Sequence, residues 1–557
     1  MKSRPPGKVP SFFLIPIVLL LLCSPGPDVS AQQGEFPQEN VWTQAMPSVV
    51  WCQDPGLTTA TTLEVHIVGR SDVSRVWMTN MGTTADEGRG EFYDDGTHGD
   101  LTAGDRVFTR ANFQLPCNRE DLGEKGGIRN WWGFLRVELT NGTDLGNNYG
   151  MVVGVVDSDY QAAFPVQDFG NGLSATSYAF FILDVDHEVM DDYPVANVYC
   201  GTANYNAYRK LYRVLPDVFD FALVMPGMQI FRPSDLAENV PYDVTVANAV
   251  QHIGMEIFDR TAEFGSAGRL RAAIYHSFGD VAIVDHEMGH AWGVNIGSSL
   301  GLMDTVNGTF MLGHWNDMAD IQGQMGYYYF SDDGLIGHFA DNGDGTWRLV
   351  ANTAVEPYSP LELYLMGMIP PEQVPPIHIL TDPNLADPAH ITAASYQTVT
   401  IEQIMQAEGG ARIPAAAEAQ KDFTLAFIVT QDLPFNDAAY AYFSLLSHQL
   451  MSRNPPRPHS SFAPFYWATG GRGTLDTRLP VQVGAPDTLP GDATPAPEAT
   501  FTPLPGLPAA DTAVPAGSTP SEPATSSGRP PICGSLFAAG GLVLIPGAMK
   551  LLRKRKR

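Results

Sequence analysis

The stretch VDHEMGHAWGVNIG, residues 284–297, carries two histidines four positions apart, with a glutamate directly after the first. On a helix, residues i and i+4 share a face, so His286 and His290 can offer two imidazole nitrogens to one metal ion. Zinc suits such a pair. It lowers the pKa of a water toward neutrality, and Glu287, one position along, can take the released proton and pass it on. The same spacing also arises in an ordinary core helix with two partly exposed histidines, so a third ligand has to decide. Just upstream, LRAAIYHS (270–277) reads as a strand, and a strand feeding a helix that opens with VDHEMGH is the context a hydrolytic site needs. His276 falls on that strand, which at a sheet edge could pair with an extended peptide.

Downstream, Gly293 can break the helix, but Ile296 follows where a compact motif would place its third histidine, and isoleucine cannot bind zinc. Four other donors lie within reach in sequence: Asp304, His314 in GHWNDMADIQGQMGYYYF (313–330), Asp317, and Glu362 in YSPLELYLMGM (358–368). The segments HEMGHAWG, GHW and MGY resemble those of the leishmanolysin-like branch of the metzincin zinc metallopeptidases, in which an insertion separates the glycine from a third histidine followed by tryptophan. The resemblance covers roughly residues 270–330 and departs at Asn316, where the branch has an acidic residue. It implies a zinc ion on His286, His290 and His314, Glu287 as general base, and Met325 as the methionine of a Met-turn beneath the metal. Tyr327 would then stand where it can steady an oxyanion. For Met325 the plainer reading is a space-filling core methionine, and for Tyr327 a position on a β-strand of consecutive tyrosines.

Two rival readings stay open. In one, Glu362 is the distant third ligand of a gluzincin-like peptidase. In the other, the chain is a surface adhesin or binding protein with a structural or degenerate metal site. An intact Glu287 weighs against the second, since a structural zinc takes four protein ligands and needs no base.

Around this motif the 557 residues are enough for several cores. The expected organisation is a multidomain chain: an N-terminal β sandwich, an α+β zincin-type metallopeptidase domain, and a C-terminal stalk with a membrane helix. Residues 1–31 read as a signal peptide, with Lys2, Arg4 and Lys8 before an apolar run and Val29-Ser30-Ala31 at the cleavage site. Residues 43–157 alternate apolar and polar in short runs split by Gly, Asn and Asp, the spacing of a β sandwich, and the Asp/Gly turn at 92–109 within it resembles that of bacterial immunoglobulin-like modules, which implies such a domain here. Residues 160–395 mix helix and strand patterns around the metal motif, and 396–482 read as a C-terminal α+β subdomain. Residues 483–531 form a Pro/Thr/Ala-rich stalk that can bury no core. Then come the apolar residues 532–549, a transmembrane or sorting-signal helix, and the basic tail 550–557, which belongs in the cytoplasm. The expectation is an exported protein on the outer face of the cell membrane, acting on a peptide or protein substrate.

The formal net charge is −28, and cleavage of the leader would make it −30, which disfavours nucleic acid as a partner. Within FYDDGTHGDLTAGDRVFT (92–109), Asp94, Asp95, Asp100 and Asp105 are hard oxygen donors on a tight loop and suit a calcium ion (Ca2+), although Asp and Gly also simply make turns. Export makes a Cys52–Cys117 disulfide reasonable, because the pair brackets one β-rich segment.

Overall fold

The computed structural model describes residues 41–79, 90–144, 149–186, 188–189, 205–228, 242–276, 281, 284–296, 298–306, 309–321, 323–326, 329–330, 336–351, 356–453 and 464–484. The signal peptide, almost all of the stalk, the 532–549 helix, the basic tail and Tyr327 lie outside those residues. So do Cys200 and Cys533. The protein is multidomain, with many β sheets and few helices. Among the described residues no helix is long and apolar enough to cross a membrane.

The N-terminal part holds two sheets. Val41–Met46, Thr61–Ile67 and Val107–Phe113 form an antiparallel three-stranded sheet. A six-stranded sheet runs in the order Leu57–Thr58, Val49–Gln53, Tyr149–Asp157, Ile128–Leu139, Val73–Thr79, Glu91–Phe92. Alternation in the sequence becomes alternation in burial: Leu63, Val65 and Ile67 point inward from one strand, and Leu135, Val137 and Leu139 from another. The Thr43 hydroxyl donates to the Gly150 carbonyl at 2.9 Å, tying one sheet to the other. A disulfide joins Cys52 to Cys117.

The site hangs from a third, eight-stranded sheet. Its order is Gln167–Gly170, Leu173–Ala175, Phe180–Leu183, Asp422–Gln431, Phe221–Pro226, Ala272–Tyr275, Tyr242–Thr245, with Thr474–Asp476 paired alongside Asp422–Gln431. From Phe180–Leu183 to Ala272–Tyr275 the pairing is parallel, and Tyr242–Thr245 closes that edge antiparallel. The strand at LRAAIYHS is therefore flanked on both sides, and among the described residues the edge belongs to Tyr242–Thr245 instead. Asp422–Gln431, buried along almost its whole length, is the middle of the sheet. Residues 160–395 and 396–482 thus share one core, because parallel neighbours are set by crossovers and not by nearness in sequence.

Helix Asp437–Met451 packs between this sheet and the N-terminal strands. Asn436 caps it through Ala439 N and donates to the Val49 carbonyl at 2.9 Å, while Tyr442 hydrogen-bonds Asn130. One apolar cluster accordingly joins Val49, Ile128 and Val156 to Phe181, Tyr442 and Leu446. The run VANAVQHIGMEIFD (246–259), whose apolar spacing suits a helix, is mostly loop. The buried Asn248 side chain donates to the carbonyls of Val250 and Glu256 and accepts from Val250 N, and His252 is left-handed with φ 62°. Side-chain bonds of this kind compete with helix for the backbone.

Candidate metal centre

Val284–Gly289 is helical and continues into a 3-10 turn, His290–Trp292, which ends at Gly293 with φ 72°. Its apolar side, Val284, Met288, Ala291 and Trp292, belongs to the core, which leaves His286 and His290 together on the other side with ring centroids 5.0 Å apart. Ile296 is buried core. After Gly293 the chain makes the 3-10 turn Ser298–Leu300 and a hairpin, Met303–Val306 against Thr309–Trp315, and that last strand returns His314 to the helix. The His314 ring centroid lies 5.1 Å from that of His286 and 5.5 Å from that of His290. One donor atom from each histidine lies within 4.8 Å of the others, a group that can hold a metal ion.

The donor chemistry fits zinc. His286 Nε2 and His314 Nε2 are 3.2 Å apart, close to the ~3.3 Å that separates two tetrahedral ligands each about 2.0–2.1 Å from one zinc. His286 Nδ1 donates to the Gln324 carbonyl, which assigns the hydrogen to Nδ1 and leaves the Nε2 lone pair facing the other histidines. Burial lowers all three imidazole pKa values, to about 4 for His286 and about 3 for His314, so they are neutral and able to ligate near pH 7.

Glu287 is buried beside them. Desolvation raises its carboxyl well above the usual range, the Asp243 carboxyl adds in the same direction, and the Asp243 backbone N–H pulls it down. Asp243 sits on the edge strand, and its own carboxyl is pushed up to about 7 by burial. Asp243, Glu287 and His290 form a second convergent group. Nothing in the sequence around Asp243 signals this, since it reaches the site only through sheet pairing.

Met325 is buried against the underside of the helix: a Cβ on Gly289 would lie 2.7 Å from its sulfur. Neither Asp317 nor Glu362 joins the convergent histidines, and the side chain of Asp304 lies outside the described residues. Glu362 instead faces N–H groups of Trp315, Gln324, Met325 and Ser359, which corrects its reading as a distant ligand. It is also the fourth residue of the capping box Ser359-Pro-Leu-Glu362, a signal visible in the sequence.

Of the four loop aspartates, Asp94, Asp100 and Asp105 converge, whereas Asp95 turns away to accept from the Thr97 backbone and hydroxyl. The converging carboxylates brace the loop itself, Asp94 taking Gly104 N and Asp100 taking Gly96 N. A further group, Asp320, Asp341 and His378, comes from three distant segments and has no sequence signature; there Asp320 accepts from His378 N and Nδ1 and from Trp347 Nε1. No family model, curated protein or solved structure matches the chain.

Proposed function

We propose that this protein is an exported, zinc-dependent endopeptidase of metzincin type. Its zincin-type catalytic part follows an immunoglobulin-like β sandwich, and a C-terminal stalk and helix tether it to the membrane. The observation that carries the reading is a buried carboxyl, Glu287, on the same helix as two of three convergent neutral histidines. When bound, zinc supplies Lewis acidity, polarising a carbonyl and making water acidic near neutral pH. His286, His290 and His314 would hold the ion. Glu287, its pKa raised by burial, takes a proton from water at a carboxylate oxygen and returns it to the leaving amine nitrogen. The strand Tyr242–Thr245, which has one neighbour among the described residues, offers backbone groups to an extended peptide. A Cys52–Cys117 disulfide agrees with an oxidising compartment outside the cytoplasm.

The test is hydrolysis of a generic unfolded protein by the full-length chain. Activity should vanish with chelator, return with zinc, and be absent in Glu287→Ala. Stoichiometric zinc without any hydrolysis would favour the adhesin reading.

A further inference from the structure

Glu362 is buried, and its two oxygens gather N–H donors from three separate parts of the chain. Oε1 accepts from Trp315 Nε1 at 3.0 Å and Met325 N at 2.7 Å; Oε2 accepts from Gln324 N at 3.2 Å and Ser359 N at 2.6 Å. Capping the helix Pro360–Met366 requires only the Ser359 contact. The other three bonds go to residues beside the histidines. Trp315 directly follows His314, and its backbone N–H donates to the Met325 carbonyl at 2.9 Å. Gln324 supplies the carbonyl that accepts from His286 Nδ1.

We propose that Glu362 is a positioning residue for the metal centre: a single carboxylate clamps the strand that presents His314 to the turn that orients His286. The inference rests on the three-histidine reading and adds to it the group that sets the spacing between two of the ligands. Four N–H donors on two oxygens call for acceptors only, which the ionised carboxyl supplies; burial pushes its pKa up to about 7 against the pull of those donors. A carboxamide would turn an NH2 group toward two of them. Outer partners of metal-bound histidines commonly change metal affinity by about 10–100-fold when removed.

The experiment measures zinc affinity of the full-length chain by chelator competition, together with the visible spectrum of the cobalt-substituted protein. Glu362→Gln should weaken zinc by about 10–100-fold and alter the cobalt spectrum. Trp315→Phe keeps a six-membered aromatic ring but deletes the indole N–H with its five-membered ring, and it carries the test if Glu362→Gln does not fold; it should move both readouts the same way. Asn436→Ala removes the cap of helix Asp437–Met451 and should lower the melting temperature while leaving both readouts unchanged. Wild-type affinity and spectrum in Glu362→Gln and Trp315→Phe would overturn the clamp, as would an equal loss in Asn436→Ala. A wild-type chain that takes up no zinc would overturn the metal reading and the clamp with it.

Discussion

The sulfur of Met325 lies against the backbone of Gly289, with 2.7 Å between it and the place where a side chain at 289 would begin. Intrinsic propensity favours alanine over glycine inside a helix by about 1 kcal/mol, but here the added methyl must displace Met325 and the turn that holds it. Gly289→Ala should therefore destabilise the protein by about 1–3 kcal/mol, and Gly289→Ala with Met325→Ala should recover part of the loss. Urea unfolding of the single and double variants checks this.

Substitution of any one of the three histidines should remove stoichiometric zinc. His286→Ala, His290→Ala and His314→Ala are compared by direct metal analysis, with Asp317→Asn retaining the ion. Full occupancy in His314→Ala would show that the third donor is another residue.

Glu287→Ala should keep its zinc and lose at least about 10²-fold in hydrolysis, because the general base acts in the proton step and not in holding the ion. Metal content and turnover measured on the same preparation separate the two effects.

Acid should erode the stability that the three buried histidines contribute to the metal-free protein. Burial depresses the folded-state pKa of His286 to about 4 and of His314 to about 3, and lowers that of His290 as well. An unfolded chain protonates these imidazoles near 6.5, so below that pH it binds protons that the folded state refuses. The contribution of these histidines is complete above about pH 7 and falls on acidification, by at most ~1.4 kcal/mol per pH unit for each. The buried carboxyls of Asp243, Glu287 and Glu362, whose folded-state pKa values burial raises, act in the opposite sense over the same range, so the histidine contribution is read as a difference: urea midpoints of metal-free His286→Ala between about pH 7.5 and 5 should fall less, or rise more, on acidification than those of the metal-free wild type. Identical pH profiles in the two would contradict the burial of this ring.

The Cys52–Cys117 bridge closes a separation of 65 residues. Chain entropy alone puts its contribution at about 4 kcal/mol, so Cys52→Ser with Cys117→Ser should unfold the N-terminal sheets at lower denaturant than the rest of the chain. Intrinsic fluorescence, to which Trp42, Trp51, Trp77, Trp131 and Trp132 of the N-terminal sheets contribute five of the nine tryptophans, should then show an added transition at lower urea.

Local chemistry was legible where a single segment carries it. His286, Glu287 and His290 share one short helix, and the hairpin Ile336–Asp341 to Trp347–Ala351 turns at DNGDG as its residues suggest. His314 could be singled out from the GHW that surrounds it. For Glu362 only the capping-box contact with Ser359 was legible in one segment; the donors from residues 315, 324 and 325 converge on it from elsewhere, and no local spacing encodes them. Asp243 was invisible for the same reason. The run from 246 to 259 misled because apolar periodicity is silent about a buried asparagine that bonds the loop backbone. The boundary near 395 misled because the strand most central to the sheet is among the last to appear in the chain.

That late strand imposes an order in time. While the chain is being made, the helix with His286 and His290 emerges well before Asp422–Gln431, and until residue 431 is out Phe180–Leu183 and Phe221–Pro226 lack the partner that belongs between them. A nascent chain carrying the whole metal motif has no completed sheet on which to mount it. The three histidines therefore come together only after the C-terminal segment has been delivered, and a chain that stalls short of that point carries them without the framework that holds them in place.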